Sequence, residues 1–174
     1  MKDFLTFISN NGTKLLELCL EHIGLTFISL LLAMLVAIPA GIIITKRPKI
    51  AAFTLGVAGI LQTVPSIALL GFLIPFLGIG IKPAIFALFI YAILPILRNT
   101  YTGIISVDPS VIEAAKGMGL STRQILLKVE LPLAMPIIFA GIRTATVINV
   151  GVAALAAYIG AGGLGEYSFS GIEL

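Results

Sequence analysis

Residue types that usually carry out chemistry in proteins are scarce in this sequence. The chain has one histidine, His22, and one cysteine, Cys19, and neither has neighbours that would complete a metal site or a nucleophile–base pair. Asp108 and Glu113 fall in one polar segment, where their positions suit helix capping and a contact surface. The sequence therefore argues against a hydrolase or metalloprotease, and it predicts no catalytic residue, no metal site and no cofactor.

The segment Gly160-Ala-Gly-Gly-Leu-Gly165 has the glycine spacing of a dinucleotide-binding loop. Such a site needs a preceding strand and an acidic residue about 20 positions later. Here an apolar helical stretch precedes the glycines, so an external loop that contacts its neighbours is expected instead. The chain also contains no phosphate-binding sequence of the G-x-x-x-x-G-K-[ST] type. The sequence is thus not expected to bind the phosphates of ATP through such a loop.

The composition predicts that these few polar residues are positioned by membrane-spanning helices. Of the 174 residues, 59% are hydrophobic and 11% are charged, and the mean hydropathy is +1.14. Soluble domains carry about 25% charged residues, and a small soluble domain could not cover its surface with so few. Intrinsic disorder needs the opposite composition. We therefore predict an all-α polytopic membrane protein.

Charge-free runs predict four spans, near 23–45, 51–76, 84–103 and 133–158. The run from Ile50 to Ile81 would measure about 48 Å as one straight helix, too long for a single crossing. Pro65 and Pro75 therefore predict a kinked helix that ends in an irregular segment. Residues 1–20 are expected to form an interfacial amphipathic segment, broken at Asn10-Asn11-Gly12. Residues 21–174 are assigned to the transmembrane domain.

The distribution of basic residues predicts the orientation in the membrane. If the loop after the first span is cytoplasmic, seven basic residues lie inside and three outside. The seven are Lys46, Arg47, Lys49, Arg98, Lys116, Arg123 and Lys128, and the three are Lys2, Lys14 and Lys82. This excess predicts a multi-pass membrane protein with its N-terminus outside.

The cytoplasmic segment 108–132 is predicted to form two short helices joined by a glycine corner. Asp108 followed by Pro109 is typical of a helix start. Gly117 and Gly119 predict the end of that helix. Ser121-Thr-Arg-Gln124 has the pattern of a capping box and begins the second helix, which we expect Pro132 to stop.

This helical pair could also belong to a DNA-binding helix-turn-helix. Ala115, Gly119 and Ile125 have suitable spacing, and Arg123 could contact a phosphate. Both ends of the pair, however, run directly into membrane spans, so no third helix or linker is available to form a soluble unit. We therefore exclude nucleic acid as a partner and expect the pair to dock into a groove of another protein.

The same segment resembles the signature of permeases of ATP-binding cassette (ABC) importers of type I. That signature is Glu-Ala-Ala, three residues, Gly, nine residues, then Ile-x-Leu-Pro. Here it reads Glu113-Ala114-Ala115, Gly119 and Val129-Glu130-Leu131-Pro132, with Val129 in place of Ile. The resemblance implies that Glu113, Ala114, Ala115, Gly119, Leu131 and Pro132 form the segment that couples to the ATPase. It also implies two ATP-binding subunits, a second permease subunit and an external substrate-binding protein as partners.

Three further stretches, 61–70, 94–103 and 141–151, resemble permeases for glycine betaine, carnitine and choline. The resemblance implies an osmoprotectant as the transported solute. A permease for methionine or another small amphipathic solute is the alternative, and a passive channel or a membrane-embedded enzyme is the alternative from another class. Members of this family continue into a last span with a cytoplasmic tail, which these 174 residues do not include.

Candidates for the translocation path are Pro65, Ser66, Arg143, Asn149 and Tyr158. Arg143 lies inside a predicted span, where a guanidinium must face a partner or water. It is expected either to extend to the cytoplasmic face or to line the path together with Asn149. Quaternary ammonium groups are commonly held by aromatic faces, for which Tyr91, Tyr101 and Tyr158 are the candidates.

Overall fold

The computed structural model describes the backbone of residues 2–170 and the side chains of residues 11–167. This part of the chain is helical and contains no strand. The helices are α1 (Lys2–Ile44), α2 (Pro48–Thr63), α3 (Ser66–Leu77), α4 (Ile81–Ile105), α5 (Pro109–Gly117), α6 (Thr122–Ile125), α7 (Leu131–Leu155) and α8 (Gly165–Ser170). A π-helical turn, Leu126–Glu130, joins α6 to α7, and a 3₁₀ turn, Ala156–Ile159, follows α7. The predicted all-α class is confirmed.

Three described helical stretches are long and apolar enough to cross a membrane: Asn11–Ile44, Ile81–Ile105 and Thr122–Ile159. A fourth crossing is obtained if α2 and α3 are counted as one broken span, with a bend of 95° between them. The predicted change of direction at Pro65 is therefore present, but the bend is much sharper than that of a kinked helix. Proline lacks the N–H that would bond to the carbonyl four residues before it. At the bend, the carbonyl of Val64 accepts a hydrogen bond from the Tyr91 hydroxyl.

Helix α1 is continuous through Asn11 and Gly12, so the break predicted there is wrong. Asparagine and glycine each cost at most about 1 kcal/mol in a helix interior. Hydrogen-bonded turns on both sides outweigh that penalty, because extending an existing helix is easier than starting a new one. Met1, and the side chains of residues 2–10, lie outside the described part of the predicted interfacial segment.

Helix α4 occupies the centre of the bundle and packs against α1, α2, α3 and α7. Small residues allow this close approach, as is common between helices in membranes. A Cβ atom added at Gly41 would lie 2.7 Å from Thr100 Cβ, and one added at Gly141 would lie 2.8 Å from the Pro95 carbonyl oxygen. Glycines on α1 and α7 therefore set how closely both helices contact α4.

Pro132 does not stop the second cytoplasmic helix, and this prediction is also wrong. The π-helical turn before it widens the backbone, and the N–H of Leu131 donates to the carbonyl of Leu126. Proline removes one donor and crowds the preceding carbonyl, and a π-turn is a known way to accommodate such a disturbance within a helix. The helical stretch consequently runs unbroken from Thr122 to Ile159.

Candidate functional site

The predicted coupling corner, residues 108–132, folds by local hydrogen bonds as expected. The Asp108 side chain accepts a bond of 2.8 Å from the backbone N–H of Ser110 and begins α5. Gly119 has a φ of +81°, a conformation that favours glycine. The capping box is formed, because Gln124 N–H donates to Ser121 Oγ while Ser121 N–H donates to Gln124 Oε1. The predicted helix–corner–helix geometry is confirmed.

The corner presents one face to solvent and holds the other against the protein. Glu113, Ala114 and Gly119 are exposed, whereas Ala115 is 1% exposed. Met118, which the sequence reasoning did not single out, is 72% exposed at the tip of the corner. The signal that could have identified it is a large apolar residue between two glycines in a polar segment. The exposed face is small and combines the apolar Met118 with the charged Glu113 and Lys116, and such a helical surface can dock into a groove.

The end of the signature lies where the corner joins the bundle. Leu131 is half-buried and packs against a cluster that contains Ile104, Ala134 and Ile138, while Pro132 is exposed. Between the corner and the ends of α1 and α4 lies a cavity of about 640 Å³. The corner is therefore attached to the membrane helices mainly through the unbroken stretch Thr122–Ile159, along which a displacement can be transmitted.

The five residues predicted for a translocation path do not come together. Along α7, one stripe is buried and contains Gly141, Ala145 and Asn149, and the opposite stripe is exposed and contains Arg143. Asn149 is completely buried and donates from Nδ2 to Ser29 Oγ over 3.1 Å. Arg143 and Asn149 therefore lie on different faces of one helix and do not face each other.

The remaining path candidates lie at the bend and at the far end of α7. Pro65 is exposed and Ser66 is half-buried, and α3 begins there without a side-chain cap. Tyr158 is exposed, whereas Tyr91 is buried and bonded to the Val64 carbonyl. Of these two aromatic residues, Tyr158 therefore presents more of its ring to a ligand.

Helix α7 and the glycine-rich loop 160–165 are held against α1 by polar contacts that the sequence did not reveal. Glu21 Oε2 accepts a 3.0 Å bond from the N–H of Gly163. His22 is buried, and its Nε2 lies 3.1 Å from the Val150 carbonyl oxygen, to which the Nε2–H tautomer donates. Gly162 and Gly163 have φ values of +77° and +87°. The loop is therefore a structural connection between α1 and the end of the long helix.

The Asp108 cap leads to a prediction about pH. Hydrogen bonds from the Ser110 side chain and backbone hold the pKa of Asp108 below its ordinary value. A lowered pKa in the folded state means that the cap stabilises α5 above the unfolded pKa and is lost as the pH falls through the folded one. We expect Asp108→Ala to increase the rate of amide hydrogen exchange in residues 109–117 at neutral pH. Below about pH 4, the exchange rate of the wild type should approach that of the variant.

Asp108→Asn is the matched control, because asparagine caps as well as aspartate but does not titrate. The α5 amides of this variant should stay protected from exchange across the same pH range, after correction for the intrinsic exchange rate. Equal exchange in the wild type and in Asp108→Ala at neutral pH would show that the cap does not stabilise this helix.

Comparisons with known proteins agree with this architecture. Residues 37–173 match the family described as "Binding-protein-dependent transport system inner membrane component". The chain is 48% identical over all 174 residues to the carnitine transport permease protein OpuCB of Listeria monocytogenes, covering 80% of that protein. The identity and coverage are the same for the glycine betaine/carnitine/choline transport system permease protein OpuCB of Bacillus subtilis (strain 168).

A solved structure shares the fold. The inward-facing MetNI methionine ABC transporter matches with a TM-score of 0.80 and 28% identity, covering 90% of this chain and 79% of that one. The predicted resemblance to type I importer permeases is therefore confirmed. With its central α4, its coupling corner and a family match over residues 37–173, this chain belongs to the binding-protein-dependent transport system inner membrane components, the permeases of ABC importers.

Proposed function

We propose that this chain is the permease subunit of an ATP-driven importer for glycine betaine, carnitine, choline or a similar quaternary ammonium solute. The observation that carries the proposal is the 48% identity, over the whole chain, to permeases named for carnitine and for glycine betaine/carnitine/choline. The methionine transporter shares the fold at 28% identity. The greater identity to the carnitine and betaine permeases favours their class of solute.

In this proposal the exposed face of the coupling corner docks into an ATP-binding subunit. Glu113, Ala114 and Ala115 shape the docking helix, and Gly119 provides the corner. Leu131 and Pro132 join it to the bundle. The unbroken helix Thr122–Ile159 would span about 57 Å at 1.5 Å per residue. Closure of the ATPase at one end could thus tilt the far end of the helix and the glycine-rich loop, alternating access to the path.

The bend between α2 and α3 supports a place for Pro65 and Ser66 on the translocation path. The first N–H groups of α3 have no side-chain cap. Irregular backbone at membrane depth is tolerated where it is buried in protein or lines a water-filled cavity. Pro65 is exposed, so we place the bend, together with exposed Arg143 and Tyr158, along a wet path. Asn149 supports this path only indirectly, by holding α7 against α1.

The assembly we propose contains two ATP-binding subunits, a second permease subunit, identical or different, and a substrate-binding protein outside the cell. The chain lies in the bacterial cell membrane with its N-terminus outside. The basic residues near the ends of the helices support this orientation, seven against three. In this orientation the glycine-rich loop lies on the external side of the membrane, where a binding protein can deliver the solute.

The test is uptake by the assembled importer in cells that lack other osmoprotectant systems. We expect ATP-dependent accumulation of labelled carnitine, glycine betaine or choline, inhibited by the unlabelled compounds and not by methionine. Inhibition by methionine, without inhibition by quaternary ammonium compounds, would overturn the proposed solute class. Purification in mild detergent should recover an ATPase and a second permease copy or homologue with this chain, and purification as a lone subunit would overturn the proposed assembly.

A further inference from the structure

The exposed stripe of α7 carries one charged side chain at the middle of a membrane helix. Arg143 is the only charged residue between Leu131 and Leu155, and it lies about 18 Å along the helix from Leu131. Among the residues whose side chains are described, the structure gives it no ion-pair or hydrogen-bond partner. A charge at this depth is costly in lipid and marks a substrate pathway or a paired site.

Arg143 lies with Phe139 and Thr144 on an open face of α7, where a shallow groove of about 780 Å³ is lined by residues that all belong to this helix. Phe139 lies four residues before Arg143, so the two side chains occupy neighbouring positions on one helix face, about 6 Å apart along the axis. The Phe139 ring is exposed. The groove thus offers a guanidinium and, one turn away, an aromatic face.

These two groups are complementary to a zwitterion that carries a carboxylate and a quaternary ammonium group. A guanidinium binds a carboxylate through two parallel hydrogen bonds, and an aromatic face attracts a quaternary ammonium group. Resting on the proposed function, we infer that Arg143 and Phe139 form a solute subsite on the translocation path. There Arg143 selects solutes with a carboxylate, such as carnitine and glycine betaine, over choline, which has none.

The test compares uptake of carnitine, glycine betaine and choline by the complete importer carrying Arg143→Gln. We expect the uptake of both carboxylate-bearing solutes to fall about tenfold or more, as is typical when a charge-assisted bond is lost. Choline uptake should stay within about threefold of the wild type, because Arg143 repels rather than binds it. The same binding protein is used in every measurement. Its own preferences therefore cancel when each variant's carnitine-to-choline uptake ratio is divided by that of the wild type.

Two further variants separate recognition from a structural role. Phe139→Leu should lower the uptake of all three solutes alike, since all three carry the ammonium group. Arg98→Gln makes the same chemical change at another exposed position, at the cytoplasmic end of α4, and should leave the carnitine-to-choline ratio unchanged. Uptake is divided by the amount of permease in the membrane, measured by immunoblotting.

The inference is overturned if Arg143→Gln lowers the uptake of all three solutes equally, or of none. Should that variant fail to accumulate, Arg143→Lys is measured instead. Lysine keeps the charge but not the planar fork, so a smaller fall in the carnitine-to-choline ratio is expected, and an unchanged ratio would contradict the subsite. If the wild type takes up none of these solutes, the proposed function fails instead, and the two failures are distinguishable.

Discussion

Gly119→Val is expected to reduce solute-stimulated ATP hydrolysis by the assembled importer at least about tenfold, although the permease still folds. Gly119 has a φ of +81°, and nothing lies within 4 Å of the position that a Cβ would take. A β-branched residue cannot adopt this conformation without strain of about 1–3 kcal/mol. With no steric clash, that strain acts on the shape of the corner, which we propose docks into the ATPase.

The matched control is Gly117→Val, two residues away. Gly117 is also exposed with open space around it, but its φ is not positive. The Gly117→Val variant should retain most of the solute-stimulated ATP hydrolysis. Gly119→Asn should be intermediate, because asparagine tolerates positive φ better than valine. Undiminished stimulated hydrolysis and uptake in Gly119→Val would remove the corner from the coupling mechanism.

Gly141→Ala is expected to destabilise the bundle by about 1–3 kcal/mol, the usual cost of an overpacked core. The added Cβ would lie 2.6 Å from Asn99 Cβ and 2.8 Å from the Pro95 carbonyl oxygen. Pro95 contributes backbone, which yields less readily than the end of a side chain, so α7 must move away from α4. Thermal unfolding of the purified permease in detergent, followed by size-exclusion chromatography, should show a lower midpoint.

Gly151→Ala on the same helix is the control for this change. Nothing lies within 4 Å of its added Cβ, and alanine is a better helix former than glycine. Its unfolding midpoint should equal or exceed that of the wild type. Equal midpoints for the two variants would mean that the α4–α7 contact is less close than the structure indicates.

The structural features that could be predicted from the sequence are those that depend on residues close together in the chain. The Asp108 cap, the Ser121–Gln124 capping box and the turn at Gly119 each depend on bonds or dihedral angles within three or four residues. Charge-free length similarly predicted three of the four spans, because the thickness of the hydrocarbon core is fixed, whereas the fourth is the sharply bent pair α2 and α3. The coupling signature lies entirely in this local part of the fold, which explains why it was recognisable.

The two wrong helix boundaries have a common cause. Asn11 with Gly12, and Pro132, are residues that weaken a helix locally, and each was predicted to end one. In the structure both lie within long helices, because adjoining turns supply enough hydrogen bonds and a π-turn accommodates the proline. The consequence for function is large, since an unbroken helix connects the coupling corner to the glycine-rich loop.

The sequence by itself determined an all-α membrane fold and the helix–corner–helix of residues 108–132, because composition, span length and capping act over short distances. Its resemblance to importer permeases then predicted the family. Only the tertiary structure decided that Asn149 faces α1 while Arg143 faces the open groove. It alone also revealed that Glu21 bonds to Gly163 in the loop after α7 and that His22 bonds to Val150 within α7. These contacts join residues more than 100 positions apart, so they depend on which face of α7 packs against the bundle, and no local pattern specifies that choice.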